Sequence, residues 1–283
     1  MVERAISDEL GEELLAKTAH EKSLEKVLTD RTAFHCKDSN CAIQLTCVNF
    51  GKIGGKRFYY TPTSKEMLHH IDCSEISSKD RKEQIEREVA TGKGAVKKDG
   101  TIRMTLSPNK AKSILKVEQE NGKGEIISDV KASSRKNIKT HETTNMYSVA
   151  SFVDLYNSPS VDNTRPIIRI GKKLVSLEDL FLKVDKAQYT LDLHIYEGIG
   201  KISTFKKDML KIVFNDKKMI PIFTNKSRVM RQNKDIVSKY ADTDEEIQIY
   251  FRGNLGKEKN KSKFLPFNDA IYKDLYFTSV DKL

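Results

Sequence analysis

The chain has 283 residues, with 38% hydrophobic and 32% charged side chains, which suits packed cores and a length of about two domains. Its 50 Lys and Arg against 40 Asp and Glu leave a formal charge of +10, and a basic excess favours polyanionic partners such as nucleic acid. It holds no apolar run of about 18 residues, and Met1–Ala5 is charged with no apolar stretch behind it, so no membrane span and no secretory signal is expected, and a cytoplasmic setting is.

In chain order, residues 3–29 read as a helix. Ile6, Leu10, Leu14, Leu15, Leu24, Val27 and Leu28 recur near helical spacing, with Ser7 or Asp8 as caps and Gly11 as a weak point. Residues 33–73 change texture. Strand-like runs at 42–48 and 57–60 flank the glycine-rich turn Gly51-Lys52-Ile53-Gly54-Gly55-Lys56, the pattern of a β-hairpin. Residues 77–90 read as a short helix, with Ser78 as N-cap, the pair Ile85 and Val89 on its apolar face, and Gly92 as its stop. An alternating stretch follows at 101–106, then Pro108 and a Lys-rich segment at 110–116.

Residues 118–146 contain no aromatic residue and are rich in Gly, Ser, Lys, Asn and Thr, the composition of a flexible tether. The expected organisation is therefore an N-terminal unit over 1–116, a linker over 117–146, and a C-terminal domain over 147–283. In the last of these, Val149, Phe152, Val153 and Tyr156 have helical spacing. Strands are expected at 167–170, 191–196, 210–214, 219–223 and 247–251, with Gly198-Ile199-Gly200-Lys201 as a turn between strands. The fold class is α+β: a small zinc-bound β module with flanking helices, linked to an antiparallel, OB-like β-rich domain.

All four cysteines, Cys36, Cys41, Cys47 and Cys73, fall in one short stretch. With no secretory signal in view, clustered thiols read as metal ligands rather than a disulfide framework. Zinc takes four thiolate or imidazole ligands in a tetrahedron, usually as two pairs from two elements. Cys36-x4-Cys41 spans the polar turn Lys37-Asp38-Ser39-Asn40 and supplies the first pair. His69 or His70 with Cys73 supplies the second. Cys47 is the spare thiol, and His35 should point away from an ion held by Cys36. Four protein ligands leave no open position, so the site is expected to be structural; Glu66 is the one nearby acid that a catalytic version could use as a base.

The run Thr32-Ala33-Phe34-His35-Cys36, Cys41, Arg57-Phe58-Tyr59-Tyr60 and His69-His70-Ile71-Asp72-Cys73 resembles the zinc module of bacterial CoiA-like competence proteins. It is also similar to the WRKY and FLYWCH type of zinc-bound sheet. The resemblance implies a zinc-stabilised sheet in a nucleic-acid-linked setting and supplies no reaction.

No P-loop, nucleophile elbow or H-E-x-x-H motif occurs. Asp185, Asp192 and Glu197 with Lys201 are the one acidic set that a metal-dependent nuclease could use, although strand alternation explains Asp192 and His194 as solvent-facing. Aromatics interleaved with cations suit nucleic-acid binding by an OB-like sheet. Tyr196, Phe205, Tyr250 and Phe251 are the candidate stacking rings, near Lys201, Lys206 and Lys207. Lys52, Lys56, Arg57, Arg228, Arg231 and Arg252 are the candidate phosphate-contacting cations. The leading expectation is a zinc-containing, nucleic-acid-associated binding protein of bacterial or phage type. The alternatives are a protein-interaction subunit of a defence or mobile-element complex, and the nuclease.

Overall fold

Gly11 has a φ of +70°, a left-handed backbone that glycine adopts without penalty, and it turns the chain back on itself. The computed structural model, which describes residues 2–38, 41, 43–64, 67–71, 73–105 and 143–280, therefore shows no single helix over 3–29. A hairpin of β1 (Arg4–Ser7) and β2 (Glu13–Leu15) leads into α1 (Ala16–Leu24). Alternate burial of Ala5 and Ser7 sets the strand, and helical spacing alone could not reveal it.

The first sheet is antiparallel, in the order β2-β1-β3-β4-β5, with β3 at Phe34–His35, β4 at Gln44–Cys47 and β5 at Tyr60–Pro62. It curls until Tyr60 bridges to Val2. Phe34, Leu45, Tyr60, Leu28 and Ala19 fill its core. Cys47 is part of that core, with its thiol 3.7 Å from the Ala16 carbonyl, so the spare cysteine packs as a small buried apolar side chain.

Helix α2 runs over Ser78–Lys97, longer than expected. Ser77, one residue earlier than expected, is its cap, accepting from the Asp80 amide at 3.1 Å. Gly92 does not stop the helix; it lies inside, where a Cβ would stand 3.0 Å from the Met146 sulfur. The missing side chain lets the helix lie close against the next sheet. That sheet has the order β7-β6-β8-β9, from β6 (Thr101–Met104), β7 (Thr143–Met146), β8 (Pro166–Ile170) and β9 (Lys173–Ser176). β6 pairs in parallel with both β7 and β8. Strand pairing thus joins residues on both sides of the expected boundary, and the last four residues of the expected tether are strand. The Lys-rich segment and residues 117–142 of the tether lie outside the described residues, as does Glu66.

Helix α3 (Val149–Tyr156) follows, as the spacing of Val149, Phe152, Val153 and Tyr156 predicts, with Ser148 at its N-cap position. Its cap is tertiary: Glu88 of α2 accepts from the amides of Tyr147 and Ser148 and from the Ser151 hydroxyl. After α4 (Leu177–Leu180) the chain enters the third sheet. It comprises β10 (Phe181–Lys183), β11 (Thr190–Phe205), β12 (Met209–Phe214), β13 (Ile222–Asn225), β14 (Ile247–Glu258), β15 (Lys261–Pro266) and β16 (Leu275–Ser279). The main path is β13-β12-β11-β14-β15. Its edges meet where Met219, just before β13, bridges in parallel to Ser262 of β15, so these five strands close into a small barrel. Helices α5 (Lys226–Gln232) and α6 (Lys234–Tyr240) connect β13 to β14 and pack Val229 and Val237 into the barrel core.

Gly198-Ile199-Gly200-Lys201 is the middle of β11 and not a turn. A Cβ on Gly200 would sit 2.2 Å from the Val213 carbonyl oxygen, so the glycine serves close strand approach. No helix of the described chain is long and apolar enough to cross a membrane.

Candidate metal centre

Two loops bring the ligand-type side chains together. Cys36 leaves β3, and its amide bonds the Ile43 carbonyl at 2.9 Å, closing the Cys36–Cys41 turn at its base. Within the turn, the Cys41 amide bonds the Asp38 carbonyl at 2.8 Å. The second loop turns at Cys73, whose amide bonds the His70 carbonyl at 2.8 Å. Asp38 ties the loops together by accepting from the Ser74 amide at 2.7 Å. Helix α2 supports the second loop from behind. Gln84 donates to the His69 carbonyl, and Arg81 donates to the Ile71 carbonyl at 3.3 Å and to the Gln232 carbonyl at 2.9 Å.

Cys36, Cys41, His69 and Cys73 are all buried, and their ligand atoms lie within 4.8 Å of one another. Cys36 Sγ and Cys73 Sγ are 3.6 Å apart. Nδ1 of His69 is 3.5 Å from Cys41 Sγ and 3.4 Å from Cys73 Sγ. The His70 amide donates to Cys41 Sγ at 3.2 Å and the Glu75 amide to Cys73 Sγ at 3.3 Å. Such N–H···S contacts stabilise the anionic form of sulfur.

The electrostatics favour a bound cation. Contacts with Cys36 and Cys73 hold the Cys41 thiol far below its usual range. The Cys41 contact in turn pushes Cys36 up to about 12, and contacts with Cys36 and Cys41 raise Cys73. Three clustered thiols thus compete for one negative charge. A divalent ion removes that competition, because several thiolates can then be deprotonated together. Cys47 lies outside the cluster, and burial raises its thiol to about 11.

Of the two candidate histidines, His69 joins the cysteines. His70 is not part of the group. Its ring lies edge-on to Tyr147 at 5.6 Å in a cleft of about 350 Å³, and burial pushes its pKa down to about 4. His35 turns outward, with Nδ1 2.5 Å from Oδ1 of Asp8, as expected for a neighbour of a ligand.

The other expected site residues separate. Tyr196 and Tyr250 are 0% and 1% exposed, so neither offers a ring face to a base. Arg252, 1% exposed, is not a phosphate contact; it forms a buried ion pair with Asp274. Strand alternation placed these residues on a face expected to be outer, but β14 is covered on both faces over most of its length. Arg231 is exposed yet engaged, donating to the Ser74 carbonyl and pairing with Glu75 at 3.7 Å, so it ties the barrel to the metal loop. Arg228 is half-buried on the same helix, α5. Lys52, Lys56 and Arg57 are exposed on the hairpin turn.

The acidic set does not converge. Among the described residues, Cys36, Cys41, His69 and Cys73 are the only group of three or more such side chains placed to share an ion. Asp192 is paired with Lys173, and Lys201 with Asp244 at 3.3 Å.

No known family model, curated protein or solved structure matches the chain.

Proposed function

We propose that the protein is a zinc-stabilised, nucleic-acid-associated binding protein. The observation that carries the zinc assignment is the spacing of the ligand atoms. A zinc tetrahedron with Zn–S of about 2.3 Å and Zn–N of about 2.0–2.1 Å has S···S edges of about 3.75 Å and S···N edges of about 3.55 Å. Three of the six edges, at 3.6, 3.5 and 3.4 Å, lie close to those values, and all six are within 4.8 Å. Three thiolates and one imidazole also match the soft-ligand preference of zinc over calcium or magnesium. With four protein ligands the site is structural, and it requires reduced cysteines, which supports a cytoplasmic setting.

The nucleic-acid half rests on charge and on the barrel. The net charge is +10. Numbered one to five along the chain, the barrel strands follow the cyclic order 1-2-3-5-4, and two helices bridge strands three and four. This connectivity supports the OB-like reading, and OB-like barrels bind oligonucleotides. The test is metal analysis of the purified protein together with oligonucleotide titrations at low and high salt. One zinc per chain and salt-sensitive binding are expected. No zinc removes the metal assignment, and a flat titration at low salt removes the nucleic-acid assignment.

A second reading is a subunit of a larger assembly of the defence or mobile-element kind. Tyr189, Leu191 and Leu265 are 55%, 76% and 44% exposed. Asn254, cross-strand from Leu265, donates to the Leu191 carbonyl, which places these apolar groups along one barrel edge. A stable host protein co-purifying with the chain, and lost on Leu191→Ser, supports it; a chain that stays monomeric and unpartnered removes it.

A further inference from the structure

The outer face of β11, β12 and β13 carries an aromatic pair, Phe205 from the expected stacking residues and Phe223, which was not among them. Phe205 and Phe223 are 40% and 39% exposed, with ring centroids 4.9 Å apart and planes tilted by 57°. Cross-strand register explains the meeting. Phe205 lies opposite Met209 and Phe223 opposite Lys211, so the two rings flank the start of β12 from either side. The neighbouring inward residues Ile202, Leu210, Ile212 and Ile222 are buried, so the barrel core is complete without the two rings.

Cations surround the pair. Lys206 Nζ stands 5.4 Å from the Phe205 centroid. Lys207 continues the same turn, and Lys211 projects between the strands that carry the two rings. Among the described residues, Lys206, Lys207 and Lys211 form no ion pair. The nearby acids are occupied. Asp242 accepts from the Thr204 amide and hydroxyl, and Asp208 accepts from Asn225. Lys226 donates to the Thr204 hydroxyl at 2.9 Å.

We propose that Phe205 and Phe223, with Lys206, Lys207 and Lys211, form a binding site for single-stranded nucleic acid. Resting on the nucleic-acid reading above, it names the surface and the form of the ligand. Every unpaired base has a π-face that can stack on an aromatic ring, whereas bases inside a duplex are already stacked on one another. The rings are tilted to one another and each is about two-fifths exposed, so each offers part of its surface to a base. The lysines stand where the connecting phosphates would run, and amines without carboxylate partners are available to neutralise them.

The test uses the full chain and labelled oligothymidylate of about 15 nucleotides, long enough for one such barrel, beside a duplex of equal length. The sequence contains no tryptophan. Phe223→Trp therefore places a sole indole in the site, and its fluorescence should be quenched as the single strand binds. Phe205→Ala and Phe223→Ala should each weaken single-strand binding by about 5- to 100-fold, while Phe205→Tyr should retain it. Both rings are surface groups, and thermal unfolding checks that the alanine variants stay folded. An unquenched indole under saturating oligonucleotide overturns the site even if a variant misfolds. If the wild type binds and the folded alanine variants bind equally well, this site fails and the general reading survives through other cations, such as Lys52, Lys56 and Arg57. If the wild type binds neither probe, both fail.

Discussion

Nε of Arg252 donates to Oδ1 of Asp274 at 2.8 Å, between side chains that are 1% and 0% exposed. Both groups make further hydrogen bonds. Arg252 donates again to the Tyr147 carbonyl at 2.6 Å, and Asp274 accepts from the amide and side chain of Asn268 at 2.6 Å each. A buried charge left without its partner is far costlier than the pair is favourable. Asp274→Ala or Arg252→Ala should each lower stability by about 3–5 kcal/mol. The double change Arg252→Met with Asp274→Leu should lose much less than the sum of the single changes. Urea unfolding of the three variants measures this, and simple additivity would show that the pair does not act as a unit.

Arg252 also shows where the sequence was readable and where it was not. The strand at 247–251 is evident from the alternation of Ile247, Ile249 and Phe251. That pattern assigns the intervening residues to an outer face and cannot show that the outer face is itself covered by α3, whose Phe152, Val153 and Leu155 share a core with Tyr250. The same limit hid Tyr250. The ligand set was legible for the opposite reason. Zinc chemistry acts through residue type and spacing, so Cys36, Cys41 and Cys73 stand out locally. Only the choice of His69 over His70 required the folded positions of the two rings. The N-terminal hairpin was missed because Leu10, Leu14 and Leu15 fit a helical period by chance, while Gly11 signalled a turn. The exposed pair Phe205 and Phe223 is separated by 18 positions, and only the register of β11, β12 and β13 brings the rings together.

The metal centre predicts a sharp division among similar residues. Cys36→Ser, Cys41→Ser, Cys73→Ser and His69→Ala should each abolish stoichiometric zinc. Cys47→Ser and His70→Gln should retain it, because neither side chain faces the cluster. Structural zinc contributes about 10–16 kcal/mol of binding free energy in small modules. A strong chelator should therefore unfold the first sheet, and the barrel, which has its own core, should survive. Metal analysis and two-step thermal unfolding check both claims. Zinc retained by the Cys41 variant would mean that the four residues do not form the site.

Two glycines should respond to alanine with opposite signs. Gly94 lies inside α2 with nothing within 4 Å of an added Cβ. Gly94→Ala should stabilise the protein by about 0.5–1 kcal/mol, the ordinary helix-propensity difference. Gly200 lies in β11, where a Cβ would meet the Val213 carbonyl oxygen at 2.2 Å and Ile249 at 2.8 Å. Relief requires separating β11 from β12, so Gly200→Ala should cost about 2 kcal/mol or more. Urea midpoints report both effects. A neutral Gly200→Ala would show that the two strands are not held at this spacing.

Glu197 supplies a pH dependence with a defined sign. It lies on β11 opposite Tyr250, and burial raises its pKa, with Lys183 opposing that shift and Asp185 adding to it. A carboxyl with a raised folded-state pKa is favoured in its neutral form by the folded protein. Its contribution is fully present below the unfolded value of about 4.3 and is lost as pH rises through the higher folded value. At pH 7 the ionised group therefore opposes folding. Glu197→Gln keeps the shape, removes the charge, and should make the protein more stable than wild type at pH 7. The advantage should shrink as pH falls toward 4, where the wild-type carboxyl takes up its proton. Thermal midpoints of both proteins across pH 4–8 measure the difference. A gap that stays constant with pH would assign the effect to packing rather than to charge, and a Gln variant less stable at pH 7 would show that Lys183 outweighs burial at this position.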